Sequence, residues 1–376
     1  MSDVIKKINF GAGPSKIPTE VMIRASNDFH NFNDTGLALF EHSHRSSEFA
    51  SFLQETVELI KELMEVPDNY EILFMHGGGT GQFAAVPLNL IGNDEEDGVA
   101  DYLITGAWSK KAAEEGSKYV KVNKVIPDTK SYTTVPPREE WKLTPHAKYF
   151  YYCANETVHG VEITDIDLPK ETIIVADISS NILSRPFDVS KHGVVFAGTQ
   201  KNLGVSGVTL VIVRKDLLNK PSKYCPSILN FTETAKNKSL YNTPSMFSIH
   251  MTYYILCWIK KIGGVEYIYK NNQKKAKLLY DTIDNSNDFY FSPIDKKYRS
   301  NMNVPFRIGG KEGNADLEKL FIEESLKKGM IGLKGHRSVG GIRASIYNSI
   351  TLDEVQQLVE FMKEFQKNHL TNGHTK

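Results

Sequence analysis

The chain has 376 residues, 40% hydrophobic and 24% charged, and its 45 Lys and Arg residues balance 45 Asp and Glu residues. This length allows a large core and favours two domains over one, whereas zero net charge argues against a nucleic-acid or membrane-surface binder, which needs excess basic residues. No apolar run reaches the roughly 18 residues that span a bilayer, and the N-terminus lacks the apolar core of a secretory signal. We therefore expect a cytoplasmic protein.

The first polar region of interest lies ahead of the first long helix. It contains His44 and Arg45, whose side chains could bind an anion or could simply be solvated. From Glu48 onward, apolar residues recur at helical spacing until Pro67. Three cysteines, at positions 153, 225 and 257, are too few and too scattered for a disulfide framework or a zinc site, so we expect no metal.

A glycine-rich turn follows the next predicted strand, residues 70–76, and precedes a helix near Phe83. Strand, glycine turn and helix together aim backbone N–H groups at an anion, usually a phosphate. The turn lacks the Gly-Lys-Ser/Thr ending of a P-loop. The spacing Gly79-x-Gly81-x-x-Ala84 fits the loose dinucleotide fingerprint, but the following strand ends in Thr105-Gly106 and not in an acidic residue. These features predict a phosphate site without a ribose contact.

Three later apolar runs lead into residues that can take part in binding or catalysis, namely Trp108, Asp177 and Lys201. Each has a structural alternative: a core tryptophan, a helix-capping aspartate and a solvated lysine. However, the carboxyl ends of neighbouring parallel strands meet at one edge of a sheet, where ligands bind. A lysine in apolar surroundings loses proton affinity, and its uncharged amine can attack a carbonyl to form a Schiff base.

A phosphate site, an indole, a carboxylate and a lysine at one sheet edge match the requirements of pyridoxal phosphate (PLP). The glycine turn would hold the phosphate, and Trp108 would stack on the ring. Asp177 would keep the pyridine nitrogen protonated, and Lys201 would hold the aldehyde as a Schiff base. The residues therefore predict a PLP enzyme.

The last third of the chain alternates predicted helices and strands. A helix over residues 249–262 ends at a glycine pair that suits a domain boundary. Residues 330–333 and 342–347 are predicted to form a strand pair. Arg343, in the second of these strands, could bind a carboxylate with its guanidinium group or could be a surface residue. Residues 351–354 form a capping box that opens the final helix.

In number and order, these motifs resemble the phosphoserine aminotransferase family, within the fold type I PLP-dependent aminotransferases. The resemblance covers nearly the whole chain and rests on Gly11-Ala-Gly-Pro14, Ser43-His-Arg45, His76-Gly-Gly-Gly79, Asn155-Glu-Thr157, Ala176-Asp177, Gln200-Lys201-Asn202, Asn242-Thr-Pro244 and Lys334-Gly-His-Arg337. It implies an α/β fold with a mixed, mostly parallel sheet between helices in a large PLP-binding domain, residues 18–261. A smaller α/β domain, residues 262–376, and an N-terminal segment, residues 1–17, that packs with it complete the implied organisation.

The resemblance also implies the roles of individual residues. Lys201 resembles the Schiff-base lysine, which shuttles a proton between substrate Cα and cofactor C4′; Asp177 resembles the partner of the pyridine nitrogen and Trp108 the stacking ring. The other implied cofactor contacts are Gly79, Thr80, Thr157, Gln200 and, from the second subunit of a homodimer, Asn242 and Thr243. The implied substrate contacts are Arg343 for the α-carboxylate and His44, Arg45, His336 and Arg337 for a phosphate, partly across the dimer interface.

The implied reaction transfers an amino group between glutamate and 3-phosphohydroxypyruvate, giving phosphoserine and 2-oxoglutarate in serine biosynthesis. One alternative is another fold type I aminotransferase acting on an unphosphorylated small amino acid, which would not need four cationic groups. A second is a nicotinamide-dependent dehydrogenase, which the missing ribose carboxylate disfavours. A third is a catalytically silent binding protein with the PLP fold.

Overall fold

The structure is a computed structural model that describes residues 7–92, 98–129 and 131–370. Strands and helices alternate along most of these residues. The strands are β1 (Ile8–Asn9), β2 (Tyr70–Met75), β3 (Val99–Leu103), β4 (Lys121–Lys124), β5 (Phe150–Cys153), β6 (Ile174–Asp177), β7 (Val194–Gly198), β8 (Thr209–Arg214), β9 (Tyr290–Phe291), β10 (Asn303–Ile308), β11 (Met330–Ile331) and β12 (Ile342–Ser345). The α-helices are α1 (Thr19–Asp28), α2 (Ser47–Leu63), α3 (Gly78–Leu90), α4 (Ala107–Gly116), α5 (Phe231–Lys236), α6 (Met246–Lys261), α7 (Gly264–Asp284), α8 (Ala315–Lys327) and α9 (Leu352–Leu370).

A seven-stranded sheet in the order β2-β8-β7-β6-β5-β3-β4 forms the centre of the larger unit. The two pairings of β8, with β2 and β7, are antiparallel and the other pairings in this sheet are parallel, so the predicted mixed, mostly parallel sheet is confirmed. In register, Cys153 pairs with Asp177 and Asp177 pairs with Phe196. The carboxyl ends of β5, β6 and β7 therefore lie side by side.

Both faces of this sheet are buried, as expected of strands that read as continuous apolar runs. Val195 and Ala197 face a core formed with α1, α2 and α6. Val194 and Phe196 face the opposite core, formed with α3, α4 and α5. The alternation of β7 side chains thus places helices on both sides of the sheet and leaves its strand ends free to form a site.

A second unit has its own core around a three-stranded antiparallel sheet in the order β12-β10-β9, packed with α7, α8 and α9. Phe10 belongs to this core, and β1 pairs with β11 in parallel. The exact domain boundaries proposed from the sequence stay a prediction, and residues 1–6 and 371–376 lie outside the described residues.

Two predictions about local structure differ from what is observed. Residues 330–333 and 342–347 do not form a strand pair: β11 pairs with β1, β12 pairs with β10, and one isolated bridge joins Lys334 to Ile342. The partner strands are remote in sequence, so a local pattern could not reveal them. The glycine turn is also shorter than predicted, because α3 already begins at Gly78. Gly77, which precedes the helix, has a φ of 89°, a conformation that glycine adopts readily because it has no Cβ.

The predicted start of the final helix is confirmed. The Thr351 N–H donates to Glu354 Oε2 over 2.9 Å, and the Glu354 N–H donates to Thr351 Oγ1 over 3.2 Å, as in a capping box. Among the described residues, no helix is both long and apolar enough to cross a membrane.

A buried lysine of α7 holds the turn that follows β12. Lys275 is 2% exposed, and its Nζ donates to the carbonyl oxygens of Ile346, Tyr347 and Ile350 over 2.8–3.0 Å. Within this turn, the Asn348 N–H donates to Asn202 Oδ1, next to Lys201 in sequence. Lys275 therefore fixes a turn of the second unit that contacts the first.

We predict that Lys275→Met lowers the free energy of unfolding by about 1–3 kcal/mol, because three buried carbonyl groups lose their donor while the apolar stem is kept. Urea unfolding followed by circular dichroism measures the change. Lys274→Met is the control, since the side chain of Lys274 is exposed on the same helix. Equal unfolding midpoints for the two variants would contradict the role of the Lys275 amine.

Candidate active site

A cavity of about 370 Å³ lies at the carboxyl ends of β5, β6 and β7. It collects residues from the N-terminal segment, the larger unit and the second unit. Its lining includes Gly13, Gly79, Thr80, Trp108, Asn155, Thr157, Asp177, Ser179, Gln200, Lys201, His336 and Arg343. Most of the residues predicted to contact the cofactor thus line one cavity.

Lys201 lies in the loop after β7 and is only 9% exposed. Its Nζ donates to Thr157 Oγ1 over 2.8 Å. Its main-chain carbonyl accepts a hydrogen bond from the Ser15 hydroxyl, so the N-terminal segment closes over it. Burial lowers the pKa of the Lys201 amine, and the nearby carboxylate of Asp177 opposes this change. The structure thus places this lysine in the buried setting expected from the sequence.

Asp177 is the last residue of β6 and is 5% exposed. Its Oδ1 accepts the Ser179 N–H over 2.9 Å, and Ser179 Oγ accepts the Gly198 N–H over 3.1 Å. Burial raises the pKa of the Asp177 carboxyl, whereas Ser179 and Lys201 act to lower it. Asp177 therefore both caps the turn that follows its strand and contributes a carboxylate to the cavity.

Trp108 presents its indole to the same cavity. The Lys201 Nζ lies 5.7 Å from the centroid of the ring. The indole Nε1 is buried and has no hydrogen-bond partner among the described residues. A core tryptophan was the alternative, but the observed ring borders open volume on the side of the lysine.

Two helices begin at this edge of the sheet, and only one of them is open to a ligand. In α3 the first intrahelical hydrogen bond is made by the Gly81 N–H, so the N–H groups of Gly78, Gly79 and Thr80 precede it. In α4 the corresponding N–H groups already bind side chains of residues 156 and 159. An anion in the cavity would therefore bind at the start of α3, as predicted for a phosphate.

Arg343 on β12 brings the second unit into the site. Its Nη1 donates to the Thr157 carbonyl over 3.2 Å, while its Nε is buried without a partner among the described residues. His336, from the loop before β12, lines the same cavity. Burial lowers the pKa of His336, and Arg343 and Arg337 lower it further. The positive charge at this end of the cavity therefore comes from Arg343, which has no ion pair with a described residue.

Five predicted site residues do not line the cavity of the single chain. Asn242 lies near the start of α3, where its Nδ2 is 3.0 Å from His76 Nε2. Arg337 is exposed in the loop that carries His336. The others, His44, Arg45 and Thr243, also lie outside the lining.

Sequence reasoning missed several residues that shape the site. Gly13 contacts the lysine closely, since a Cβ there would lie 3.4 Å from Lys201 Cγ. Ser179 orients Asp177, and Glu156 contacts the start of α4. Glu156 comes three residues after the buried strand β5, and an acidic residue at the end of a buried strand is the signal that identified Asp177.

The residues present fit PLP. The cavity offers a nucleophilic amine, a carboxylate, a flat indole and free N–H groups at a helix start. The unpartnered donors Trp108 Nε1 and Arg343 Nε point to a ligand with acceptor atoms, because buried donors are rarely left unpaired. Lys201 follows β7, Asp177 ends β6, and α3 begins directly after β2. One edge of the sheet therefore presents the lysine, the aspartate and the start of the helix.

Comparison with known proteins agrees with this site. The model of the family described as aminotransferase class-V matches residues 8–358. The chain is 55% identical over 368 residues to a probable phosphoserine aminotransferase of Caenorhabditis elegans, covering 98% of this chain and 99% of that one. It is 54% identical to the phosphoserine aminotransferase of Drosophila melanogaster, covering 96% and 99%. The PLP-bound phosphoserine aminotransferase of Trichomonas vaginalis superposes with a TM-score of 0.91 at 39% identity, covering 95% and 100%.

We predict that Asp177→Asn lowers the pH at which the Lys201 amine loses its proton. The measurement uses protein from which bound small molecules have been removed. The Asp177 carboxylate favours the charged amine, so its removal lowers the pKa of Lys201 further. The pH profile of Lys201 methylation by formaldehyde and borohydride, followed by mass spectrometry, measures the shift. Asp165→Asn, at a surface ion pair with Lys191, is the control. A profile that stays in place or moves to higher pH would contradict the prediction.

Proposed function

The chain belongs to the aminotransferase class-V family, and we propose that it acts as a phosphoserine aminotransferase. It is a PLP-dependent transaminase of fold type I that transfers an amino group between L-glutamate and 3-phosphohydroxypyruvate. The products are O-phospho-L-serine and 2-oxoglutarate, which places the enzyme in serine biosynthesis. The observation that carries the proposal is the buried Lys201 amine, which shares one cavity with Asp177, Trp108 and Arg343.

Each part of PLP has a group in the chain that suits it. The N–H groups of Gly79 and Thr80 suit the phosphate, and Asp177 suits the protonated pyridine nitrogen. Trp108 offers a stacking face for the ring, and Thr157 and Gln200 flank Lys201. When bound, PLP supplies an aldehyde that exchanges amino groups and a ring that withdraws electrons from substrate Cα.

Lys201 has the setting required of both a nucleophile and a base. Burial lowers the pKa of its amine, so a larger fraction is uncharged near neutral pH than for a solvated lysine. The uncharged Nζ takes the proton from Cα of the amino acid and returns a proton when the keto acid reacts. Thr157 Oγ1, which accepts a hydrogen bond from Nζ, orients the amine for this transfer.

Substrate recognition divides between two sets of cations. Arg343 binds the α-carboxylate that both substrates share, since its guanidinium enters the cavity beside Thr157. His336 and Arg337 receive the phosphate of the larger substrate. Burial and neighbouring cations lower the pKa of His336. A bound phosphate dianion would raise that pKa, so His336 would carry a positive charge and bind the phosphate more strongly.

A homodimer completes the site in this proposal. His44 and Arg45 of the partner subunit would add to the phosphate-binding cations, and Asn242 and Thr243 of the partner subunit would complete the cofactor phosphate site. All four residues lie outside the cavity of the single chain, as a contribution from a partner subunit requires. The cytoplasmic location expected from the sequence also stays a prediction.

We predict that purified protein loaded with PLP shows a visible absorbance band that glutamate abolishes and 3-phosphohydroxypyruvate restores. Lys201→Ala should lose the band of lysine-linked cofactor and lower the transamination rate by about 10²–10⁴-fold, because it removes the proton carrier. Lys191→Ala, an exposed lysine paired with Asp165, is the control and should keep both properties. A Lys201→Ala protein with an unchanged band would contradict the proposed function.

We predict that Arg337→Ala raises KM for 3-phosphohydroxypyruvate about tenfold and leaves the half-reaction with glutamate unchanged, because it removes one charged contact to the phosphate. Arg343→Ala should weaken both half-reactions, since both substrates carry the α-carboxylate. Stopped-flow measurement of each half-reaction separates the two effects. Equal efficiency of wild-type protein on phosphorylated and unphosphorylated keto acids would instead favour an aminotransferase of unphosphorylated substrates.

A further inference from the structure

The loop between β5 and β6 carries a buried carboxylate that the proposed chemistry does not use. Glu156 has 0% exposure, and its carboxyl group contacts only hydrogen-bond donors. Its Oε2 accepts the Trp108 N–H over 3.0 Å, and its Oε1 accepts the Ser109 N–H over 2.8 Å and the Ser109 hydroxyl over 2.5 Å. These donors offset part of the hydration that burial removes from the carboxylate.

These contacts favour the ionised form of Glu156, whereas burial acts in the opposite direction and raises the pKa of its carboxyl group. Ser109 Oγ already accepts the N–H groups of Thr105 and Gly106, at 2.9 and 3.1 Å. Its own hydrogen has two acceptors in reach, and Glu156 Oε1 at 2.5 Å is nearer than the Gly106 carbonyl oxygen at 3.2 Å. A proton on the carboxyl group would point at the N–H group of Trp108 or Ser109, or at a hydroxyl oxygen that already accepts two hydrogen bonds. The anion also lies at the start of the ten-residue helix α4, where the helix dipole favours negative charge.

Glu156 performs the task of a helix-capping side chain from another part of the chain. The N-cap residue of α4 is Gly106, which has no side chain to bind the first N–H groups. A Cβ at Gly106 would lie 2.3 Å from Glu156 Cδ, so the carboxyl group occupies the space that the glycine leaves. His159 Nδ1 accepts the remaining N–H, that of Ala107, over 3.3 Å.

The same loop holds the other reactive groups. Thr157, next to Glu156, accepts hydrogen bonds from Lys201 through its hydroxyl and from Arg343 through its carbonyl. The loop is itself tied down, since the Glu156 N–H donates to the Val161 carbonyl over 2.9 Å and the Glu156 carbonyl accepts the Gly160 N–H over 2.7 Å. The backbone of Trp108 is therefore joined to the residues around the lysine through one side chain.

We propose that Glu156 is a positioning residue: its carboxylate binds the start of α4 and thereby fixes the Trp108 indole relative to Lys201. The inference rests on the proposed function, because the indole matters as the stacking face for PLP. Glu156 does not contact the cofactor cavity in this scheme and acts through Trp108. Removal of its charge should change the indole position and cofactor binding together.

The test compares Glu156→Gln with Glu162→Gln. The glutamine amide at 156 keeps the size but points an N–H₂ group at N–H donors, so one contact becomes repulsive. Glu162 is a matched control: it is 3% exposed on the same loop and binds Arg185, Asn181 and the Asn301 N–H, all away from Trp108. Each variant is purified, freed of cofactor and titrated with PLP.

We expect Glu156→Gln to weaken PLP binding about tenfold and Glu162→Gln to leave it within about twofold of wild type. The near-ultraviolet circular dichroism of the cofactor-free protein should lose the Trp108 contribution, defined by Trp108→Phe, only in Glu156→Gln. If Glu156→Gln folds poorly, Ser109→Ala removes one of the three contacts and should change both signals in the same direction by a smaller amount.

A double-mutant cycle separates positioning from general stabilisation. In a Trp108→Phe background, Glu156→Gln should weaken PLP binding less than about threefold, because the residue through which it acts is already gone. An equal loss in both backgrounds, or normal binding and dichroism in Glu156→Gln, would overturn the proposal. Wild-type protein that binds no PLP would instead contradict the proposed function itself.

Discussion

The burial of the Lys201 amine is the constraint on which the rest of the site depends. A lysine charge removed from water is unfavourable, so the amine must be partly deprotonated, paired or both. Here Thr157 accepts its hydrogen bond and Asp177 supplies a nearby negative charge. The parallel neighbours β6 and β7 bring aspartate and lysine to the same edge, so the central sheet that forms the core also creates the reactive pair.

The two helix starts at this edge illustrate how one structural feature can serve two purposes. At α3 the first N–H groups remain available to a phosphate, because the N-cap residue Gly77 has no side chain and no other described side chain caps the helix. At α4 the N-cap residue is also a glycine, but Glu156 and His159 fill the space and bind the N–H groups. The difference lies in the neighbouring loop and not in the helices themselves.

Contacts between the two units complete the cavity. Arg343 reaches Thr157 from β12, and the turn held by Lys275 contacts Asn202 beside the lysine. The N-terminal segment adds a third connection, since Ser15 binds the carbonyl oxygens of Gln200 and Lys201 while Phe10 packs in the second core. The geometry around Lys201 thus depends on packing between parts of the chain that are more than 100 residues apart.

The sequence by itself determined where the apolar strands lie along the chain and which residues follow them, because buried strands and the polar residues at their ends have a clear local pattern. It thus identified Lys201, Asp177, Trp108 and the glycine-rich start of α3. The mixed, mostly parallel sheet was implied by the family resemblance. Only the tertiary structure decided that β11 pairs with β1 and that Glu156 binds the start of α4. Those contacts join distant segments through individual hydrogen bonds, and hydrophobic periodicity carries no information about such partners.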